Sequence, residues 1–291
     1  MAGAEHATTL PKDAGREFAF TTEDFRTIAA VLHGDAGIYL PDTKATLVYS
    51  RLAKRLRALG MSSFRDYCKL IQDHEGVDER QHMLAALTTN VTRFFREPHH
   101  FDHLRDVVMP ALAARARAGG RVRLWSAACS TGQEPYSMAL TALAILPDAA
   151  RYDFRILASD IDPNVVRTAR EGVYSREAID PVPANLRKYL NKAPDQGVDM
   201  WRVAPEVQEL IAFRELNLIK PWPMKGRFDV IFCRNVVIYF DDKTQETVWR
   251  KFIDVMSPGA RLYIGHSERV TGDGGRLTSD GLTVYKAGGQ L

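Results

Sequence analysis

The hydrophobic rhythm of the chain changes near residue 120. Before that point apolar positions recur every three or four residues, the spacing that turns one helical face inward. Thr21 or Thr22 can cap a helix carrying Phe25, Ile28, Ala29 and Leu32 on one side. Gly37 and Pro41 interrupt, and Asp42 caps a second helix over residues 43–59 that stops at Gly60. Ser62 starts a third helix, with Phe64, Tyr67, Cys68 and Ile71 in helical register; Asp78 starts a fourth, with Met83, Leu84 and Leu87. A linker over 88–97 follows. Pro98 sits near the start of one more helix, where its missing N–H is tolerated, and Gly119-Gly120 end it.

Beyond residue 120 short apolar runs alternate with helical patterns. Residues 122–126, 154–159, 228–233 and 261–265 read as strands; 134–145, 163–171 and 242–256 read as helices. That alternation predicts an α/β fold, a doubly wound parallel sheet with helices on both faces. Between 172 and 216 it breaks, and residues 200–203 and 211–216 read as short strands of a small antiparallel β-subdomain. The expected organisation is a flexible tail over 1–17, an N-terminal all-helical domain over 18–87, a linker and helix over 88–120, and an α/β domain over 121–291 with the β-subdomain inserted at about 172–216.

Composition adds limits. With 291 residues, 45% hydrophobic and 26% charged, the chain suits a soluble protein with a substantial core. A net charge of +3 does not by itself point to nucleic acid. Cys68, Cys129 and Cys233 lie far apart without metal-ligand spacing, which fits a reduced compartment. The N-terminal stretch lacks the pattern of a signal peptide, and no run approaches the roughly 18 apolar residues of a membrane span. A cytoplasmic location is expected, and the Asn90-Val91-Thr92 sequon then carries no meaning.

Candidate chemistry begins at residues 124–137, LWSAACSTGQEPYS. A strand runs through small residues into a helix, so backbone can approach a ligand and the helix start offers free N–H groups. The full G-x-G-x-x-G pattern is absent, and a plain tight turn explains the loop equally well. The next strand ends in Ser159-Asp160-Ile161-Asp162. Doubly wound folds hold a ribose diol with an acid at this place, and a carboxylate accepts from both hydroxyls. Asp162, before Pro163, reads as a helix cap.

With these residues in view, TTNVTRFFRE (88–97), WSAACSTGQEPYS (125–137), ASDID (158–162), ELNL (215–218), FCRNVVIYF (232–240) and GHSE (265–268) occur in the order seen in the CheR family of chemotaxis receptor methyltransferases. The resemblance covers about residues 20–287. It implies a class I methyltransferase domain behind a small helical domain, S-adenosyl-L-methionine as cofactor with S-adenosyl-L-homocysteine as product, and methyl esterification of glutamates on the cytoplasmic helices of chemoreceptors. By resemblance Asn90, Thr92 and Arg96 reach the cofactor from the linker, Glu134 lies near its amino group, Asp160 binds the ribose, and Asn217 and Leu218 lie near the adenine. Arg234 and Asn235 match the end of the fourth strand, and Tyr239 a tyrosine close to the transferred methyl. Arg96 and Tyr239 are the expected catalytic residues. Gln133 departs from the glutamate that many relatives have.

The chemistry suits this set. A glutamate side chain is ionised at neutral pH, so it needs alignment and no general base. A methyltransferase acting on nucleic acid is the rival enzyme, but its Asn/Asp-Pro-Pro-aromatic motif is replaced here by Arg234-Asn235-Val236-Val237, and no aromatic stacking platform is visible. A non-catalytic binding module of the same fold is the other rival. No metal is expected: His99 and His103 share a helical face but lack an acidic or cysteine partner. Cys129 and Cys233 read as small or core residues, and His266 as packing near the site. Arg51, Lys54, Arg55 and Arg57 fall on one side of the second helix, opposite Val48, Leu52, Leu56 and Leu59. They read as a solvated face or, by resemblance, as a receptor-docking surface. Relatives that tether to a receptor C-terminal pentapeptide have a glycine-rich turn where this chain has Lys192-Ala193-Pro194-Asp195-Gln196-Gly197. Ala193 and Pro194 there argue against the tether.

Overall fold

Thr21 opens the first helix with a reciprocal cap: its hydroxyl accepts the Asp24 N–H, and the Asp24 carboxylate accepts the Thr21 N–H at 2.8 Å. The structure, a computed structural model, describes residues 17–288 and divides into two compact units, 1–89 and 90–291. The expected tail, up to residue 16, lies outside the described residues.

The first unit holds α1 (Thr22–Ala36), α2 (Ala45–Leu59), α3 (Phe64–Gln72) and α4 (Val77–Leu87). Phe25, Ile28, Leu32, Val48, Leu52, Leu56, Phe64, Tyr67 and Ile71 are buried in it. Asp42 makes no capping bond; it opens a 3-10 turn, Asp42–Lys44, and α2 begins after it. Ser63, not Ser62, caps α3. Leu59, expected on the apolar side of α2, is 41% exposed at the helix end.

The second unit begins with α5 (Pro98–His103), a π turn (Leu104–Val108) and α6 (Met109–Arg117). Leu104, Met109 and Leu112 share one core with the strands, so residues 90–120 belong to the α/β unit. Then follow β1 (Val122–Ala127), α7 (Gln133–Ile145), β2 (Phe154–Asp160), α8 (Pro163–Glu171), β3 (Val173–Ser175), α9 (Arg176–Ile179), β4 (Leu190–Lys192), β5 (Met200–Val203), α10 (Pro205–Gln208), β6 (Ile211–Glu215), β7 (Phe228–Cys233), α11 (Asp242–Asp254), β8 (Met256–Ile264), β9 (Leu277–Gly281) and β10 (Val284–Ala287). The main sheet runs β6-β2-β1-β7-β8-β10-β9. Its first five strands are parallel, and β10 is antiparallel to both neighbours. β7 is buried at every position, which explains its largely apolar sequence; the exception, Asp229, pairs with Arg115 and accepts the Arg123 N–H at 2.9 Å.

A separate sheet, β3-β5-β4, is the antiparallel insertion. Residues 211–216, expected within it, instead supply β6, which pairs in parallel with β2 from Ile156↔Ile211 to Asp160↔Glu215. A short alternating run shows which residues turn inward but not which strand it pairs with. The chain winds from β1 to β2 and β6 on one side and to β7 and β8 on the other. Ligands of such sheets sit at the carboxyl ends where the order reverses.

Candidate active site

At the carboxyl end of β1 the chain turns through left-handed conformations, with φ of 64° at Ala128, 49° at Ser130 and 97° at Gly132. Only Gly132 adopts such a value without cost, and a Cβ there would meet the Tyr174 hydroxyl at 2.7 Å. The turn is pinned to the next strand: Cys129 N–H donates to Ser159 O at 2.8 Å, and Ser130 N–H to Asp160 Oδ2 at 2.8 Å. Asp160 Oδ1 accepts the Asp162 N–H at 3.1 Å, and Asp162 itself caps α8 through Asn164 N–H. The Asp160 carboxyl, 6% exposed, accepts the Ser130 N–H on one oxygen and the Asp162 N–H on the other, with the Ile161 N–H also near, and a carboxylate can accept more than these. Burial raises its pKa above the ordinary carboxylate value, against the pull of these backbone bonds.

Asp160 also ties in β6, since its carbonyl accepts the Leu216 N–H at 2.8 Å. Asn217 and Leu218 follow directly. Asn217 Oδ1 accepts the Ile219 N–H at 3.0 Å, and Leu218 is buried. On the other side of the turn, Ser130 Oγ donates to Asn90 O at 3.1 Å, which brings the linker to the same loop. Thr92 is half-buried nearby in sequence, and Arg96 Nη1 donates to Val91 O at 2.9 Å, closing the linker on itself.

Glu134 stands in the first turn of α7. Its Oε1 accepts from Ser126 Oγ at 2.7 Å, and its Oε2 lies 3.2 Å from Arg234 Nη1. Burial raises the Glu134 pKa and Arg234 opposes it, with the net shift upward. Arg234, at the end of β7, also pairs with Glu97 Oε2 at 3.2 Å and donates to Arg96 O. Its guanidinium lies over the rings of Phe101 and Phe232. Asn235 takes a φ of 60°, and its Oδ1 is buried without a partner. Tyr239 ends the 3-10 turn Val237–Tyr239 and is 43% exposed, beside Ile238 at 47%.

Recorded contacts therefore link Asn90, Arg96, Glu134, Asp160 and Arg234 with the loops that carry Asn217, Leu218 and Asn235. Sequence reasoning missed Glu97 and Glu268, although both end quoted motifs. A lone glutamate after a loop has no periodicity to mark it. Burial alone would raise Glu97, but Arg234 and His266 outweigh it and hold the carboxyl below its ordinary value. Glu97, His99 and His100 form a group of possible metal ligands among the described residues. Both Glu97 oxygens already face other groups, Oε2 the Arg234 guanidinium at 3.2 Å and Oε1 the His266 ring at 3.3 Å. His103 is not part of this group; its Nδ1 lies 2.9 Å from the Tyr263 hydroxyl.

Four basic residues of α2 divide into two pairs. Arg51 Nη1 donates to Leu87 O at 2.7 Å and Thr88 O at 3.0 Å, the free carbonyls at the end of α4. Arg55 clasps Glu79, 6% exposed, which also accepts from the Tyr67 hydroxyl. Lys54 and Arg57 are exposed, and Arg57 pairs with Glu17. The expected single basic face is thus half engaged inside the helical unit.

Comparison with known proteins accords with this architecture. Residues 23–88 match the CheR methyltransferase all-alpha domain, and residues 90–285 its SAM binding domain. The chain is 53% identical over 258 residues to a probable chemotaxis protein methyltransferase of Rhizobium etli, covering 88% of this chain and 96% of that protein. It is 40% identical over 281 residues to the chemotaxis protein methyltransferase of Escherichia coli, covering 96% and 95%. Chemotaxis protein methyltransferase 2 of Pseudomonas aeruginosa is 40% identical over 283 residues, covering 96% and 98%. A helical unit followed by a SAM-binding α/β unit, matched over nearly the whole chain, places this protein in the CheR methyltransferase family.

Proposed function

We propose that this enzyme transfers a methyl group from S-adenosylmethionine to glutamate side chains on the cytoplasmic helices of chemoreceptors, forming the methyl esters used in sensory adaptation. The observation that carries the reading is a pair of carboxyls, buried Asp160 and half-buried Glu134, fixed on either side of one left-handed turn at the carboxyl ends of β1 and β2. Their surroundings fit the cofactor. Asp160 keeps acceptor capacity for the two ribose hydroxyls, and the unpartnered Asn235 Oδ1 awaits a donor. Glu134 supplies a carboxylate for the ammonium group, and Arg234 holds that carboxylate in place from the other side. Asn217 and Leu218 are assigned to the adenine, and Asn90, Thr92 and Arg96 to the linker side of the cofactor.

When bound, S-adenosylmethionine supplies a sulfonium, an activated methyl donor. The residues then have to hold a carboxylate in line with it, which is a matter of proximity. Tyr239, with an exposed hydroxyl-bearing ring, donates a hydrogen bond to the incoming carboxylate, and Arg96 offers charge. Moderate contacts serve better than a tight ionic clamp, because a clamp would stabilise the bound substrate as much as the transition state. Receptor helices, rich in glutamate, dock on the helical unit through Lys54 and Arg57, with Arg51 and Arg55 shaping the same helix. No helix among the described residues is long and apolar enough to cross a membrane. The cytoplasmic location proposed for the enzyme rests on its proposed substrate, the cytoplasmic helices of receptors.

The decisive experiment incubates the protein with methyl-labelled cofactor and chemoreceptor membranes. Label released by base as methanol identifies a carboxyl ester. Base-stable label would replace this reading with N-methylation, the chemistry of the nucleic-acid rival.

A further inference from the structure

The segment that presents Arg234, Asn235 and Tyr239 has little of its own to hold it. After β7 ends at Cys233, Asn235 turns left-handed, and the 3-10 turn Val237–Tyr239 starts without a side-chain cap from Val236. The start of such a turn leaves N–H groups with no partner inside it. One side chain from another strand end meets them. Glu268 Oε1 accepts the N–H of Val236 at 2.8 Å and of Val237 at 3.0 Å. Its Oε2 accepts the N–H of Asn235 at 2.9 Å and of Gly265 at 2.5 Å. Glu268 is only 4% exposed.

This one carboxylate therefore joins the ends of two paired strands, since Cys233 of β7 lies opposite Ile264 of β8. Gly265 makes the approach possible. A Cβ there would meet Glu268 Oε2 at 2.8 Å and Asn235 Nδ2 at 2.6 Å. A carboxylate is a pure acceptor with room for several donors, which is what a cluster of converging N–H groups requires.

We propose that Glu268 is a positioning residue for methyl transfer: by anchoring these backbone N–H groups it fixes the loop that sets Arg234, Asn235 and Tyr239 against cofactor and substrate. The proposal rests on the function given above, in which those residues face the reacting groups. Glu268 acts through them and touches neither ligand.

Glu268→Gln tests it in the full chain, because the amide places an NH2 donor among N–H donors at almost unchanged volume. Hydrogen exchange at Asn235, Val236 and Val237 should accelerate by about tenfold or more while the β1 and β2 amides keep their protection. The rate per cofactor-binding site at saturation should fall by about a hundredfold, as expected of a small misplacement. KM for receptor should change by less than about threefold, since ground-state binding is not the target. Glu268→Asp should recover part of kcat. Gly265→Ala, which keeps the carboxylate but blocks its approach, should lower kcat as Glu268→Gln does, and it serves if the glutamine variant does not fold. A merely structural role would reduce the number of active sites and leave the rate of each at the parental value. That result, or unchanged exchange at residues 235–237, would overturn the proposal. A parent enzyme that methylates no receptor would instead defeat the proposed function, and the exchange measurement would still decide whether Glu268 holds the loop.

Discussion

Arg234 Nη1 lies 3.2 Å from Glu134 Oε2, with 2% of the arginine side chain and 13% of the glutamate side chain exposed. The same guanidinium lies 3.2 Å from Glu97, so one buried cation serves two carboxylates. Removing a partner therefore has unequal effects. Arg234→Ala leaves two carboxylates without their cation and should destabilise the fold by about 3–5 kcal/mol. Glu134→Gln leaves Arg234 its pair with Glu97 and should keep the fold, yet weaken binding of S-adenosylhomocysteine about ten- to a hundredfold by loss of a charged partner. Thermal melting and calorimetry check the two arms. A glutamine variant with parental affinity would remove Glu134 from the cofactor site.

The shifts at Glu134 and Asp160 set a pH dependence. Burial raises both carboxyls above their ordinary values. The proposed ligand groups, an ammonium and a diol, favour the charged forms. Cofactor affinity should be full above the raised pKa values and fall as pH drops through them, starting above the usual carboxylate range near about 4. Binding within that window should release protons, which calorimetry in buffers of different ionisation enthalpy detects. For folding the sign is that of a raised group: its contribution to stability is present below the unfolded pKa and is lost as pH rises through the folded one. Affinity that stays flat down to the ordinary carboxylate range would contradict this account.

Asp160 carries structure as well as ligand capacity, because it holds the Ser130 and Asp162 N–H groups. Asp160→Ala should weaken cofactor binding about ten- to a hundredfold and also cost about 1–3 kcal/mol by leaving buried donors unmet. Asp160→Asn keeps an acceptor for one of these N–H groups and sets its NH2 against the other, so it should recover only part of the stability and little of the affinity. Chemical denaturation beside cofactor titration reads both. Parental affinity in a folded Asp160→Ala variant would exclude it from the ribose site.

The parts of this site that the sequence exposed are those with a local mark. β1 and β7 are buried on both faces and show as apolar runs, and Asp160 stands at the end of the strand between small residues and a capped helix. What stayed hidden depends on partners distant in sequence. Helical spacing placed Arg51 and Arg55 on one side of α2 but could not show α4 packed there to receive them. The alternation in residues 211–216 predicted a strand and could not name β2 as its neighbour. β9 has one large apolar residue, Leu277, and β10 is only four residues long, too short to show a period. Glu268 acts by gathering backbone N–H groups, which leave no trace in side-chain pattern.

The receptor-docking test must respect the division of the basic helix. Reversing Arg51 and Arg55 sets acid against the α4 carbonyls and against buried Glu79, so that double variant should unfold the helical unit. Lys54→Glu with Arg57→Glu changes exposed charge and breaks only the surface pair of Arg57 with Glu17. It should slow methylation of intact receptor several-fold and leave S-adenosylhomocysteine affinity at the parental value. Parental activity should also fall with salt, since exposed charges are screened over about 10 Å at 0.1 M. Normal rates in the Lys54/Arg57 variant, together with salt-insensitive activity, would assign α2 a purely solvated face.

The inserted sheet bears on how receptors are found. A tethering peptide would add as an extra strand, gaining affinity from backbone hydrogen bonds along an open edge. Here β4 is an edge of only three residues, Leu190–Lys192, and Lys192 is exposed on it, a feature that discourages strand addition. The turn beyond it is filled. Ala193 is fully buried, Pro194–Gln196 form a 3-10 turn closed by Gln196 N–H to Ala193 O at 2.9 Å, and Asp195 pairs with Arg202 of β5 at 2.8 Å. Gly197 alone keeps a φ that favours glycine, at 135°. Opening this turn to admit a strand would break the Asp195–Arg202 pair and expose Ala193. The enzyme is therefore expected to bind no receptor tail peptide and to rely on its helical unit. Titration with an aromatic-containing receptor tail peptide should show no saturable signal up to micromolar concentrations, and Ala193→Gly with Pro194→Gly should not by itself reduce methylation of intact receptor. Saturable binding to the parent enzyme, lost on competition with the intact receptor tail, would show that the β4 edge accepts a strand after all.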